Sequence, residues 1–316
     1  MEKAKIKLLG LLPCGLRNAF KFDLQRRFSF LTEENGYVID GNLNYEKEFY
    51  DRIEGEEGMN EIPDIFISSD INSLYHQGFL KRYLNKDCFE ESGMVPSDYF
   101  LKMGYNHPDN IITMLPGNML VIVANTEKYL EKDFPHSFRD LFRPGQKLIL
   151  RGDEDFFCNA LFLPLIRDYG FNAVKSLAKN CFTGLHPANM VKMINSGNAN
   201  EISAFVMPYT FYLKIRNPYN FKIVWPSEGA ILSPVQMLVK KGKYAKYKEV
   251  IDYITYGKFS DSLLPTGFFP VNKDTFVPLP GNLNWIGWEY VYNHDIKIIK
   301  EKAQRVFFDN YNIKSF

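Results

Sequence analysis

The sequence predicts an α/β fold made of two lobes, each a mostly parallel sheet flanked by helices. Strand-like apolar runs alternate with helix-like patterns from residue 6 to residue 85, and the alternation resumes in the middle of the chain. The length of 316 residues corresponds to two domains of about 150 residues each.

Composition narrows the class of protein. Hydrophobic residues make up 46% of the chain and charged residues 24%, which is typical of a globular protein and excludes a disordered, collagen-like or coiled-coil chain. The 38 Lys and Arg residues nearly balance the 37 Asp and Glu residues. Because nucleic-acid binders usually carry a basic excess, we expect no nucleic-acid partner.

The N-terminal region predicts three strand–helix repeats. Ile6 to Leu12 is a short apolar run, typical of a buried parallel strand, and a turn containing Cys14 and Gly15 follows it. Apolar residues then recur every four positions, which predicts one face of a helix over residues 18–30. The later segments are a strand over residues 37–42, a helix over 45–53 and a strand over 62–68 that ends in residues suited to a helix N-cap, Ser68, Ser69 and Asp70.

The middle of the chain predicts a second α/β set. Its most apolar strand candidate covers residues 118–125. The further segments are strands over residues 147–150, 202–207 and 223–225 and helices over 137–142, 156–169, 173–180 and 187–196. An apolar extended segment follows at 230–239, and the chain is mainly helical from Tyr244 onward.

These segments predict the division into domains. Lobe 1 is expected to combine residues 1–119 with residues 235–316, and lobe 2 to comprise residues 125–229. Hinge strands at about 119–124 and 230–239 would cross between the lobes. A ligand cleft is then expected between the two lobes.

Four stretches carry a resemblance to a known family: Pro63–Leu84, Pro116–Leu130, Phe134–Gly170 and Lys222–Ile254. In this order they resemble the type II periplasmic solute-binding proteins of ABC importers, in particular the ferric-iron and polyamine-like branch. The resemblance implies a two-lobe fold joined by two crossover strands, which captures a small ligand by hinge closure. It also implies an extracytoplasmic monomer with an ABC permease as partner, no catalytic residue, and no cofactor, a ferric ion being possible cargo.

Candidate ligand-binding residues lie at strand ends, since open α/β sheets bind ligands outside the carboxyl ends of their strands. They are Cys14, Gly15, Ser68, Ser69 and Asp70 in lobe 1, Gly152, Asp153, Tyr209 and Tyr212 in lobe 2, and Glu228 in the second crossover turn. Hydroxyls and amides before a helix suit an anion, whereas a carboxylate suits a cation. Helix capping explains the serine turn and the acidic run after Gly152 equally well.

Tyr209, Tyr212 and Glu228 are the candidate metal ligands. Iron-binding members of the family place two adjacent tyrosines after the late strand of the second lobe, whereas here the tyrosines are three residues apart. In an extended chain they would face opposite sides, but in a helical turn they would converge. Surface packing is the alternative for both rings, a solvent-exposed turn is the alternative for Glu228, and Trp225 is expected to report lobe closure.

The sequence leaves two other functions open, a cysteine-dependent enzyme and a cytoplasmic ligand sensor. The four cysteines have no C-x-x-C spacing and are expected to be free thiols. Cys14 or Cys158 would serve a cysteine-dependent transferase on the same fold, although no catalytic motif accompanies them.

The sequence also leaves two cellular locations open for the protein. The first 22 residues do not have the pattern of a signal peptide, and no segment reaches the ~18 apolar residues of a membrane span. The chain is therefore either the mature form of an exported protein or a cytoplasmic ligand sensor. The ligand candidates are ferric iron or an iron complex first, a polyamine second and an oxyanion third.

Overall fold

The computed structural model describes residues 6–41, 46–55, 58–84, 87–152, 158–256, 263, 266–275 and 277–311. The strands are β1 (Leu8–Leu12), β2 (Tyr37–Gly41), β3 (Ile65–Ser69), β4 (Phe89–Glu90), β5 (Ile112–Asn125), β6 (Leu148–Arg151), β7 (Cys181–Leu185), β8 (Ala204–Pro208), β9 (Phe221–Val224), β10 (Ala230–Lys240) and β11 (Leu283–Asn284).

The α-helices are α1 (Cys14–Arg27), α2 (Glu46–Glu54), α3 (Gly58–Glu61), α4 (Gln77–Tyr83), α5 (Asp98–Lys102), α6 (Asn159–Tyr169), α7 (Phe171–Asn180), α8 (Pro187–Asn195), α9 (Tyr209–Tyr212), α10 (Tyr244–Tyr256, kinked at Tyr247), α11 (Trp288–Asn293) and α12 (Ile296–Asn310). Short 3₁₀ helices cover Glu33–Asn35, Ser73–Tyr75, Glu131–Asp133 and Phe138–Phe142. No helix in the described ranges is long and apolar enough to cross a membrane.

The chain forms two compact units. Unit 1 comprises Met1–Gly117, Pro234–Pro278 and Gly287–Lys297, and unit 2 comprises Asn118–Ser233, Leu279–Ile286 and Ile298–Phe316. Strands β5 and β10 contribute residues to both units. The hinge boundaries near 119–124 and 230–239 stay a prediction.

Unit 1 is built on a sheet in the order β2-β1-β3-β10. Strands β1, β2 and β3 are parallel, and β10 runs antiparallel to β3 with Val235 opposite Ser69. Helix α1 buries Phe20 and Leu24 against this sheet, as their spacing predicts. The helix begins at Cys14 rather than residue 18, because Pro13 has the fixed φ of −65° that suits the residue before a first turn.

Unit 2 has the sheet order β5-β8-β6-β7. Strands β6, β7 and β8 are parallel, whereas β5 pairs antiparallel with β8 and with β9. Successive residues of β6 bury opposite faces: Leu148 and Leu150 join the core under α6 and α7, and Ile149 joins the core under α8. Both faces of the sheet are therefore covered, which explains its continuous apolar sequence.

Two elements of unit 2 differ from the sequence-based expectation. Strand β7 follows α7 with no intervening residue and pairs with β6, and its short sequence with Gly184 has no strand-like alternation. From Ile298 to Tyr311 the chain packs with unit 2, whereas the sequence assigned it to lobe 1. The reason is that Phe307 is buried in the unit 2 core, with its ring 5.3 Å from that of Phe162.

Candidate functional site

The carboxyl ends of three parallel strands meet at one edge of the unit 2 sheet. Arg151, the last residue of β6, lies opposite Leu185, the last residue of β7. The amide of Gly152 donates to the Leu185 carbonyl at 3.2 Å, and β8 ends beside them at Pro208. This edge is where an α/β sheet places its ligand contacts.

Tyr209 and Tyr212 occupy this edge on a single helical turn. Helix α9 begins at Tyr209 directly after β8 and ends at Tyr212, so residues three apart lie on one face. Their rings stack with centroids 6.2 Å apart and planes 18° from parallel, and both side chains are half-buried. Of the two conformations that the sequence left open, the structure adopts the helical one.

The inner side of α9 fixes the orientation of the two rings. Thr210 and Phe211 are buried, and the Thr210 hydroxyl lies 3.5 Å from Oδ1 of Asn118 in β5. The Phe211 ring meets the ring of His186 edge to face at 6.0 Å. Thr210 and Phe211 point inward, whereas the rings of Tyr209 and Tyr212 stay partly exposed, and Tyr212 also packs against the apolar core under α8.

Trp225 forms a third aromatic wall of this site. Its ring contacts Tyr209 edge to face, with centroids 5.6 Å apart and planes at 77°. The indole Nε1 donates to the Asn282 carbonyl at 2.7 Å. Gly281 lies against the indole so closely that an added Cβ would come within 2.7 Å of Nε1. Tyr209, Tyr212 and Trp225 are called the aromatic site below.

Glu228 lies in the turn after Trp225, where both of its carboxylate oxygens are engaged. Oε1 accepts from the amide of Phe138 at 2.7 Å, and Oε2 accepts from the Ser227 hydroxyl at 3.2 Å. The Tyr169 hydroxyl also bonds to this carboxylate; burial first, and then the nearby negative charge, raises the pKa of Tyr169. The carboxylate thus caps the 3₁₀ helix Phe138–Phe142.

In unit 1 the serine turn at the end of β3 is tied together by amide side chains. The Ser68 hydroxyl accepts from Nε2 of Gln236 at 2.7 Å and from Nδ2 of Asn72 at 2.9 Å. Asp70 has a left-handed φ of 68°, and its carboxylate accepts from the amide of Ile71 at 2.8 Å. Ser68 and Asp70 are buried, so this turn has a structural network as well as its place at a sheet edge.

Cys14 and Gly15 lie at the same carboxyl edge as the serine turn, because β1 and β3 are parallel. Cys14 is the exposed first residue of α1, and Gly15 is half-buried. Asp153, together with Glu154 and Asp155, lies outside the described residues. Within the described ranges, no group of three or more His, Cys, Asp or Glu side chains could hold a metal ion.

Comparison with known proteins identifies the family. A family model described as bacterial extracellular solute-binding protein matches residues 60–294, which is most of the chain. The chain belongs to this family. No curated protein matches the sequence of this solute-binding protein.

Solved structures agree with the fold of the solute-binding protein. The ferric binding protein from Campylobacter jejuni superposes with a TM-score of 0.64 at 15% identity, covering 97% of this chain and 99% of that one. The apo ferric ion-binding protein A from Pasteurella haemolytica gives 0.66 at 15% identity, with 98% and 99% covered. Iron-bound HitA from Pseudomonas aeruginosa gives 0.63 at 12% identity, with 97% and 99% covered. At these identities the likeness establishes the two-lobe type II fold.

Membership of the family decides between the functional classes. The protein is an extracellular-type solute-binding protein and not an enzyme, so its ligand is cargo rather than a cofactor. The cysteine-dependent enzyme is therefore excluded. Cys158 is 1% exposed at the start of α6, with Nη1 of Arg151 3.8 Å from its sulfur, and burial raises the pKa of the Cys181 thiol.

Sequence reasoning did not single out Arg151 or Gln236 in this solute-binding protein. Arg151 ends β6 immediately before Gly152, so its place at a strand end was the available signal. Gln236 is a polar residue inside the apolar run of β10 and is fully buried. A polar side chain within such a run signals a buried hydrogen-bond hub, because buried polar groups need partners.

Two histidines of unit 1 are enclosed by neighbouring side chains. The His76 imidazole pairs with the Glu54 carboxylate, which also accepts from Nζ of Lys297 at 3.1 Å. Burial opposes the charge on Glu54, but these donors lower its pKa to about 2. His107 is fully buried; its Nδ1 accepts from the Asp109 amide at 3.1 Å, so its Nε2 carries the proton toward the Tyr292 hydroxyl at 2.7 Å.

Proposed function

We propose that this solute-binding protein captures an iron complex for an ABC importer, with Tyr209 and Tyr212 as its protein contacts in unit 2. The observation that carries the proposal is the pair of stacked tyrosines on one face of α9 at the carboxyl edge of the sheet. Phenolate oxygens suit a hard cation, because hard cations take oxygen ligands.

The donor set favours an iron complex over a bare ion. Hard cations take about six oxygen ligands, whereas two phenols supply two. A chelator such as citrate would fill the remaining positions and leave two for the phenols.

Capture is proposed to follow the hinge mechanism of the family. The lobes would close about the crossover strands β5 and β10 and hold the ligand for an ABC permease. Closure requires that the ligand make contacts in the closed form that the open form lacks. The protein is proposed to act as an extracytoplasmic monomer.

An organic cation such as a polyamine is the second candidate. A cation within about 6 Å of an aromatic ring centroid is attracted to the face of the ring. The aromatic site offers three rings, and the ring of Tyr209 contacts those of both Tyr212 and Trp225. This candidate needs no phenolate and therefore predicts a different response to tyrosine substitution.

The test is a titration with ferric citrate, followed by the visible charge-transfer absorption of iron–tyrosinate and by Trp225 fluorescence. We expect Tyr209→Phe and Tyr212→Phe each to abolish or shift the visible band and to weaken binding at least tenfold. Tyr219→Phe, which removes the hydroxyl of an exposed tyrosine in the same unit, is the matched control.

Two outcomes of this titration would contradict the iron proposal. Binding of ferric citrate without a visible band, unchanged in both variants, would show that the phenols are not ligands. Binding of spermidine in place of ferric citrate, retained in both Phe variants and lost in Trp225→Ala, would establish the organic cation.

A further inference from the structure

The turn that carries Trp225 is closed by one backbone hydrogen bond and tied to a neighbouring segment by another. Residues 225–229 are called the Trp225 turn. The Ser227 amide donates to the His136 carbonyl at 2.8 Å, and the Gly229 amide donates to the Pro226 carbonyl at 2.9 Å. Gly229 has a φ of 100°, and an added Cβ would lie 2.7 Å from the backbone carbon of Leu283. The turn is therefore closed and packed against β11.

The Glu228 side chain supplies a further attachment between this turn and a neighbouring segment. Its Oε1 accepts a hydrogen bond from the Phe138 amide at 2.7 Å. Phe138 is the first residue of the 3₁₀ helix Phe138–Phe142, so its amide has no acceptor within that helix. Its Oε2 accepts a hydrogen bond from the hydroxyl of Ser227 within the turn. Hydrogen bonds to a carboxylate are stronger than those between neutral groups, so the Glu228 side chain fastens the turn strongly to the 3₁₀ helix.

Trp225 is contacted on several sides by residues next to this turn. The Asn282 carbonyl accepts from the indole, Gly281 lies against the ring, and the Tyr209 ring meets it edge to face. These contacts hold the indole in place as long as the turn keeps its own position. Displacement of the turn would move the indole away from Tyr209.

We infer that Glu228 is a positioning residue that holds Trp225 against Tyr209 and does not itself contact the solute. The inference rests on the proposed function only in placing the solute at the aromatic site. It assigns Glu228 a role different from the direct ligand contact that the sequence suggested, because both carboxylate oxygens already accept hydrogen bonds from the protein.

The two roles predict different results for Glu228→Gln and Glu228→Ala. Glutamine keeps an oxygen that accepts from the Phe138 amide, so a positioning role is retained, whereas a ligand carboxylate is lost in both variants. We expect E228A to weaken ferric citrate binding about tenfold and E228Q to stay within about twofold of the wild type. Glu127→Ala, at an exposed carboxylate of the same unit, is the control.

Acrylamide quenching of tryptophan fluorescence measures the position of Trp225 without any ligand. The chain has three tryptophans, and Trp285 and Trp288 are 2% and 4% exposed, so quenching reports mainly on the half-buried Trp225. We expect increased quenching in E228A and wild-type quenching in E228Q and the Glu127 control. Wild-type quenching in E228A would overturn the inference.

Equal loss of affinity in E228A and E228Q with unchanged quenching would also overturn the inference, because it would make Glu228 a ligand.

Gly281→Ala is a second route, since it displaces Trp225 from the opposite side and leaves the bonds of Glu228 intact. It should reproduce both effects of E228A, and unchanged affinity with a displaced Trp225 would contradict the link. If wild-type protein fails to bind ferric citrate, the proposed function fails while quenching still decides the role of Glu228.

Discussion

At the scale of single residues, Gln236 shows how one side chain can organise a strand end. Its Nε2 donates to the Ser68 hydroxyl and to the Asp70 carbonyl, and its Oε1 accepts from the Tyr75 hydroxyl at 3.2 Å. All of these groups are buried. Loss of a hub in such a network leaves several polar atoms without partners in a medium where each is costly.

We therefore predict that Gln236→Leu lowers the free energy of unfolding by about 2–4 kcal/mol, since an unsatisfied buried group costs about 1–3 kcal/mol. Urea denaturation followed by circular dichroism measures the change. Gln25→Leu, which loses one weak bond at the half-buried surface of α1, should change stability by less than about 1 kcal/mol. Equal effects of the two substitutions would show that the network contributes nothing.

His107 makes a second residue-level prediction, because burial lowers its pKa from 6.5 to about 4. Between those pH values the unfolded chain binds a proton that the folded chain does not. Stability is therefore full above pH 6.5 and falls by about 1.4 kcal/mol per pH unit as the pH drops toward 4. The total is about 3 kcal/mol for this one group.

Denaturant titrations at several pH values test this dependence. His107→Gln keeps an acceptor for the Asp109 amide and should remove the part of the slope that falls between pH 6.5 and 4. His294→Gln changes an exposed histidine and should leave the slope as in the wild type. An identical slope in wild type and H107Q would refute the assignment of a neutral buried imidazole.

At the scale of elements, turn geometry depends on glycines at specific places. Gly229 combines a φ of 100° with a close approach to the backbone of Leu283 and Asn284. That approach brings Ala230 and Ile231 of β10 into parallel pairing with β11. Gly145 has a similar φ of 86°, but no atom lies within 4 Å of an added Cβ.

The two glycines separate backbone strain from steric collision. Gly145→Ala should cost about 1–2 kcal/mol, the usual penalty for a left-handed alanine. Gly229→Ala should cost at least about 2 kcal/mol more, because backbone atoms must move and the pairing with β11 is disturbed. Equal losses, measured as differences in urea midpoint, would mean that the contact with Leu283 is not constraining.

Elements with a clear periodic pattern could be predicted from the sequence, whereas elements whose conformation depends on pairing or packing with other elements could not. Helix α1 follows from the four-residue spacing of Phe20 and Leu24, and β5 follows from its apolar run. Strand β7 has no such pattern, because its conformation depends on pairing with β6. The end of the chain illustrates the same limit: the apolar face of α12 predicts a helix but not which core it joins.

The candidate site shows the same division. Placement of Tyr209 and Gly152 at strand ends was predictable, since strand order and direction fix which residues meet at an edge. Convergence of the two tyrosines depended on a helical turn that four residues cannot specify. The bonds of Glu228 depended on Phe138, ninety positions away in sequence, so no local pattern could indicate them.

At the scale of the whole molecule, ligand capture should appear as added stability. A ligand that binds only the folded protein adds about 2.7 kcal/mol at a concentration of 100 times its dissociation constant. For a chain of 316 residues we predict a rise in melting temperature of at least a few degrees with ferric citrate. Differential scanning fluorimetry checks this, with citrate alone and Y209F as controls; an equal shift with citrate alone would assign the binding to the chelator.

The discontinuity of the two units has a consequence for biosynthesis. Each unit collects its residues from three separate stretches, and the unit 2 core includes Ala303 and Phe307 near the end of the chain. Domains of many proteins fold in order as they leave the ribosome. Here the last stretch of unit 1 reaches Lys297, and unit 2 takes up the chain from Ile298, so neither core can be completed before that point has been synthesised. The two units therefore complete their cores late and close together, rather than one after the other along the chain.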